Sequence, residues 1–123
     1  MQKKILLVGD SATILLMHRQ MVARNTKYMV LSAQDGEQAL KLASVEKPDL
    51  ILMDIMMPGM DGLEVCQRLR RQKDSAAVPI ILLTFSTGSE SVQKGFESGC
   101  TAYLTKPVQE TELVKTLQRY LGG

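Results

Sequence analysis

Three short runs constrain the fold of this chain more than any other feature. Ile5–Val8, Leu50–Met53 and Ile80–Thr84 are apolar at almost every position. A strand with one wet face alternates apolar and polar residues, whereas a strand apolar throughout is covered on both faces. Met29–Ala33 and Ala102–Leu104 also read as strands, and segments of helical period follow each of the five, near 12–24, 37–46, 62–72, 88–98 and 109–121. Strict strand–helix alternation predicts an α/β fold, a parallel sheet with helices on both faces. Turn residues agree: Asp10-Ser11, Asp35-Gly36, Lys47-Pro48, Asp61-Gly62, Val78-Pro79 and Ser98-Gly99 fall at the expected element ends. The 123 residues suit one domain spanning 1–123. Aromatics make up only 4%, so aliphatics and eight methionines must fill the core.

Charge and cysteine usage narrow the function. The net charge is +2 with both signs spread along the chain, which gives no basic stripe for nucleic acid. Arg68, Arg70, Arg71 and Lys73 read as a solvated cluster late in a helix, where cations complement the dipole. Cys66 and Cys100 are isolated and read as free thiols in a reducing cytosol. The N-terminal apolar run is too short for a signal or a membrane span, so the protein is expected to be soluble and cytoplasmic.

The third strand leads to the chemistry. Leu50-Ile51-Leu52-Met53 runs into Asp54, and the Pro/Gly-rich stretch MPGMDGLE, residues 57–64, follows. Ligands of open α/β sheets bind at the carboxyl ends of the strands. On that edge the first strand delivers Asp10, the third Asp54, the fourth Thr84, and the segment after the fifth Lys106. Two neighbouring carboxylates repel unless a cation joins them, and Mg²⁺ binds through one or two carboxylates, waters and phosphate oxygens. One carboxylate can then attack phosphorus, giving an aspartyl phosphate. The metal, the Lys106 ammonium and the Thr84 hydroxyl can meet the charge on the transferring oxygens. Blander readings stand beside these. Asp10 also suits a helix cap, Thr84 an ordinary strand residue and Lys106 a solvent lysine.

Five stretches, KKILLVGDS, PDLILMDIMMPGMDGLE, VPIILLT, GFESGCTAYLTKP and the terminal helix, give the chain a close resemblance to a known family. It resembles the receiver domain of two-component response regulators, near the stand-alone chemotaxis and motility kind. The resemblance implies a flavodoxin-like strand order 2-1-3-4-5. It implies Asp54 as phosphoacceptor, Asp10 as a Mg²⁺ ligand joined by the Met56 backbone carbonyl, and Lys106 as the phosphate-pairing lysine. It further implies a cis Lys106-Pro107 bond, Thr84 as the switch hydroxyl, and Tyr103 as the aromatic that turns inward with it. The expected partners are a sensor histidine kinase or phosphotransfer protein and a downstream protein. The expected state is a monomer or an activation-dependent dimer.

Three positions depart from the family pattern. Gly9 stands where a first acid usually precedes Asp10, which predicts weakened Mg²⁺ binding. Phe85 follows Thr84 where a small residue is usual, and Met56 is apolar beside the phosphate position. Together these last two suggest a long-lived phosphoryl group, which a measured lifetime tests. On the first helix Ile14, Met17 and Met21 form an apolar stripe, with His18, the only histidine, reading as a packing residue near it. Leu16 lies nearly opposite and Leu15 on the flank. Because this helix meets the kinase in receivers, Leu15 and Leu16 are expected to form part of a kinase-docking surface.

Other readings remain in view. A degenerate receiver would bind partners without phosphate. An aspartate-nucleophile phosphatase of the haloacid dehalogenase type would want an acid at position 56. A flavodoxin would want a Ser/Thr/Gly loop where Asp10 stands, and aromatics to sandwich the flavin.

Overall fold

A computed structural model describes residues 2–85 and 88–122, apart from the side chains of residues 89–91. Five parallel strands, β1 (Lys4–Val8), β2 (Met29–Ala33), β3 (Leu50–Asp54), β4 (Ile80–Thr84) and β5 (Ala102–Thr105), pair in the order β2-β1-β3-β4-β5. The helices α1 (Ala12–Asn25), α2 (Gly36–Glu46), α3 (Gly62–Arg71), α4 (Ser89–Glu97) and α5 (Glu110–Leu121) connect or follow them, and a short 3₁₀ turn spans Lys73–Ser75. The expected architecture is therefore the observed one. Asp54 lies inside its strand as the last residue rather than just beyond it.

The pleat sorts the core. Leu6, Val8, Ile51, Met53, Ile80 and Leu82 face Ala39 and Ala43 of α2 and Val65, Cys66 and Leu69 of α3. The alternate residues Ile5, Leu7, Leu50, Leu52, Ile81 and Leu83 face Leu15 and Val22 of α1 and Leu113 and Leu117 of α5. Both faces of β1, β3 and β4 are thus buried, as their unbroken apolar runs require. Strands are added in one direction from β1 to β2 and in the other from β1 to β3, and such a switch point is where these folds bind ligands. Register places Val8 beside Met53 and Asp54 beside Leu83, so Gly9-Asp10 and Asp54 leave the sheet at neighbouring points on one edge.

Two expectations need correction. The buried stripe of α1 is Leu15, His18 and Val22, while Ile14 and Met17 are exposed. Apolar residues run round more than half of this helix, so periodicity alone could not phase it. Leu15 is 6% exposed and packed in the core, which removes it from any docking surface; Leu16, 54% exposed, stays on the outside. The second correction concerns Arg70, which leaves the solvated cluster. Its guanidinium turns under α3 and donates to the carbonyls of Gly99, Ser75 and Val78.

Candidate phosphoacceptor site

Local chemistry frees the two acids on the carboxyl edge. Ser11, not Asp10, caps α1: its hydroxyl accepts from the Ile14 N–H at 3.2 Å. Asp10 is left exposed, without a hydrogen bond among the described residues, beside a cleft of about 430 Å³ lined also by Ile55, Met56, Met57, Pro58 and Asp61. Asp61 is occupied as the cap of α3, accepting from the Glu64 N–H at 2.9 Å. The loop before α3 folds tightly back on Asp54. Gly62 donates its N–H to the Ile55 carbonyl at 2.9 Å. A Cβ on Gly62 would come within 2.7 Å of the Ile55 Cα and closer still to the Asp54 carbonyl oxygen, so only glycine fits.

Asp54 is the centre of the arrangement. Its Oδ1 accepts from the Met56 N–H at 2.9 Å and from the Lys106 ammonium at 2.7 Å. Its Oδ2 accepts no hydrogen bond among the described residues. The Asp54 and Lys106 side chains are mostly buried, at 16% and 11% exposure. Lys106 directly follows β5, its N–H donating to the Thr84 carbonyl at 2.8 Å, and the Lys106–Pro107 bond is cis. Thr84 is buried at the end of β4, beside Thr105 of β5. Tyr103 points outward and meets Phe96 of α4 edge-on, centroids 6.1 Å apart. Strand ends thus bring Asp54 and Lys106 into contact, with Thr84 on the neighbouring strand and Asp10 at the adjoining edge.

One neighbour of the site was missed in the sequence, and another was read only in part. His18, 6% exposed, shares a small cavity with Gly9, Ser11 and Asp54 and lines the pocket that holds Lys106. Burial lowers its pKa; Asp54 opposes that shift and Lys106 adds to it. Its spacing three after Leu15 and four before Val22 was the available signal. Phe85 was noted as bulky, but its ring also lies over the Lys106 ammonium, 4.3 Å from Nζ to centroid.

The donor set fits Mg²⁺. Asp10 stands beside an open cleft and Asp54 at the end of the neighbouring strand, an arrangement that suits an ion that keeps several waters. The described residues form no cluster of three or more His, Cys, Asp or Glu side chains able to hold a metal. At Gly9 a Cβ would lie at ordinary contact, 3.6 Å from Leu15 and 3.8 Å from the Asp54 Cβ.

Similarity to known proteins agrees with this geometry. PilH of Pseudomonas aeruginosa is 37% identical over 98% of both chains. The chemotaxis protein CheY4 of Vibrio cholerae superposes with a TM-score of 0.92 at 37% identity, covering 98% of this chain and all of the other. The receiver domain of sensor histidine kinase PA1611 from Pseudomonas aeruginosa, solved with a magnesium ion in its active site cleft, gives a TM-score of 0.90 at 32% identity over the full length of both. Other curated relatives are longer, and this chain spans 27% to 52% of them. Several of these are named DNA-binding response regulators, so the family includes members whose target is nucleic acid. No helix among the described residues is long and apolar enough to cross a membrane. The family model for the response regulator receiver domain matches residues 5–118, and the chain belongs to that family of two-component signalling modules.

Proposed function

We propose that this chain takes a phosphoryl group onto Asp54 from a phosphohistidine of a sensor kinase or phosphotransfer protein. The observation that carries the reading is the 2.7 Å contact between Lys106 Nζ and Asp54 Oδ1 at the carboxyl edge of the sheet. With Oδ1 occupied by two donors, Oδ2 is the oxygen left to attack phosphorus. The P–N bond of the phosphohistidine breaks, the imidazole leaves with the bonding pair and takes up a proton, and an acyl phosphate forms. Lys106 can then turn its donors from the carboxylate to the new phosphoryl oxygens. Asp10, Asp54 and the Met56 carbonyl would hold Mg²⁺. When bound, that ion neutralises charge on the phosphoryl oxygens. On this reading the chain catalyses only its own phosphorylation and dephosphorylation.

The output is a change in the face formed by α4, β5 and α5. Thr84, at the end of β4, is on this reading the hydroxyl that follows the phosphoryl group. The outward Tyr103 ring is the piece of that face able to turn in behind it. Phosphorylation in this way switches a protein–protein contact. Donor docking uses the outer face of α1, now reduced to Leu16 and its neighbours. Leu16→Asp is expected to slow transfer from the cognate kinase and leave transfer from acetyl phosphate unchanged. Equal slowing with both donors would remove Leu16 from the docking surface.

Intact mass after incubation with acetyl phosphate tests the reading. One added phosphoryl group that requires Mg²⁺ supports it. No gain, together with no beryllofluoride binding, would favour an interaction module independent of phosphate, the reading that Gly9 supports.

A further inference from the structure

Phe85 is an aromatic side chain with 70% of its surface in solvent. So little burial gives it small reason to be apolar or to hold one position. What it does touch is Lys106. The ammonium lies 4.3 Å from the ring centroid, well within the roughly 6 Å reach of a cation–π attraction. The same nitrogen is 2.7 Å from Asp54 Oδ1. The backbone explains why they meet: the Lys106 N–H donates to the carbonyl of Thr84, the residue before Phe85. The lysine side chain is 11% exposed. It sits in a pocket of about 190 Å³ whose apolar walls include Ile14, Met17, Met21, Pro107 and Val108. A cation with little hydration left is the case in which a π face attracts it most.

We infer that Phe85 is a positioning residue that seats the Lys106 ammonium over Asp54 before the phosphoryl group arrives. The inference rests on the reading of Asp54 as phosphoacceptor. Lysine has a long flexible stem, and fixing it at the moment of reaction costs entropy. A group held in place beforehand stabilises developing charge without that cost. A second carboxylate beside Asp54 could hold the ammonium equally well but would compete with the phosphoryl oxygens for it. A ring holds it and leaves its full charge for the phosphoryl oxygens.

The test compares Phe85→Leu, which keeps apolar bulk without a π face, with Phe85→Tyr, which keeps the ring. Two readouts are needed. One is the NMR shift of the Lys106 ε-methylene protons in the unphosphorylated protein; the other is affinity for beryllofluoride with Mg²⁺. Wild type and Phe85→Tyr are expected to show ring-shifted Lys106 protons and to bind alike. Phe85→Leu is expected to lose the shift and bind about 3- to 10-fold more weakly. Wild-type affinity in Phe85→Leu would overturn the inference and leave the ring as a steric wall. If wild type itself fails to bind beryllofluoride while its Lys106 protons are ring-shifted, the phosphoacceptor reading falls, and the positioning role falls with it.

Discussion

Arg70 lies at the amino ends of β4 and β5 and Lys106 at their carboxyl ends, and the two cations are held in different ways. Arg70 donates from Nε to the Gly99 carbonyl at 2.8 Å. From Nη1 it donates to the carbonyls of Ser75 and Val78 at 3.0 and 2.6 Å, and from Nη2 to the Thr101 hydroxyl at 3.2 Å. Nη1 also reaches the Ala76 carbonyl at 3.4 Å; all five acceptors are neutral, and the planar fork fixes their directions. Gly99 is shaped to this contact, with φ of +102° and no room for a Cβ, which would stand 2.8 Å from the Arg70 Cγ. Lys106 has one carboxylate and one ring. Many neutral acceptors in a fixed fork make a cation that ties three segments together and cannot be traded. A single charged partner makes a cation that can exchange it for a phosphoryl group.

This contrast can be broken from either side. Lys106→Met should have the larger effect, weakening beryllofluoride binding roughly 100-fold, as expected when one member of a buried charge pair is truncated. It should lower the melting temperature less than Arg70→Ala does, because only the Asp54 carboxylate, itself partly exposed, is left unpaired. Arg70→Ala should do the reverse. Its loss strands carbonyls and should destabilise the fold by about 2–4 kcal/mol, lowering the melting temperature by roughly 10 °C. Phosphorylation per folded molecule should be unchanged. Arg70→Lys should recover little, because a point charge cannot reach the same five acceptors. A strong phosphorylation defect in Arg70→Ala below its melting point would erase the distinction between the two ends.

Two smaller effects sharpen the account of the carboxyl edge. Gly9→Asp should tighten Mg²⁺ binding roughly tenfold by restoring a ligand charge, measured by calorimetry without phosphodonor. The backbone there accepts a Cβ at ordinary contact distance. Unchanged affinity would mean that Gly9 does not limit the metal site. The pH dependence of stability should carry the mark of His18. Its folded pKa is depressed, chiefly by burial, below the ordinary value of 6.5. In the window between those two values the unfolded chain binds a proton that the folded one does not, so stability rises with pH. The His18 contribution is complete above about 6.5 and is lost as pH falls toward the folded pKa. His18→Gln should flatten this part of a melting-temperature profile between pH 8 and 5. A profile parallel to wild type would contradict the burial account.

What the sequence disclosed follows the same division. The central strands were legible because Ile5–Val8, Leu50–Met53 and Ile80–Thr84 leave no face for water. Asp54 and Lys106 were legible because strand ends in a parallel sheet share one edge. The phase of α1 was not, because Leu15, His18 and Val22 compete with an equally apolar stripe of Ile14, Met17 and Met21. Arg70 looked solvated because its partners are main-chain carbonyls, which no side-chain pattern advertises. The seating of Lys106 under Phe85 joins the ends of two neighbouring strands, a contact that spacing does not encode.

The most direct test of the central claim is to locate the acyl phosphate itself. The protein would be phosphorylated with acetyl phosphate and Mg²⁺, reduced with borohydride to convert phosphoaspartate to homoserine, digested and sequenced by mass spectrometry. The account predicts homoserine at position 54 and nowhere else, with none in Asp54→Asn. Homoserine at position 10, or a phosphoryl group that persists in Asp54→Asn, would contradict it.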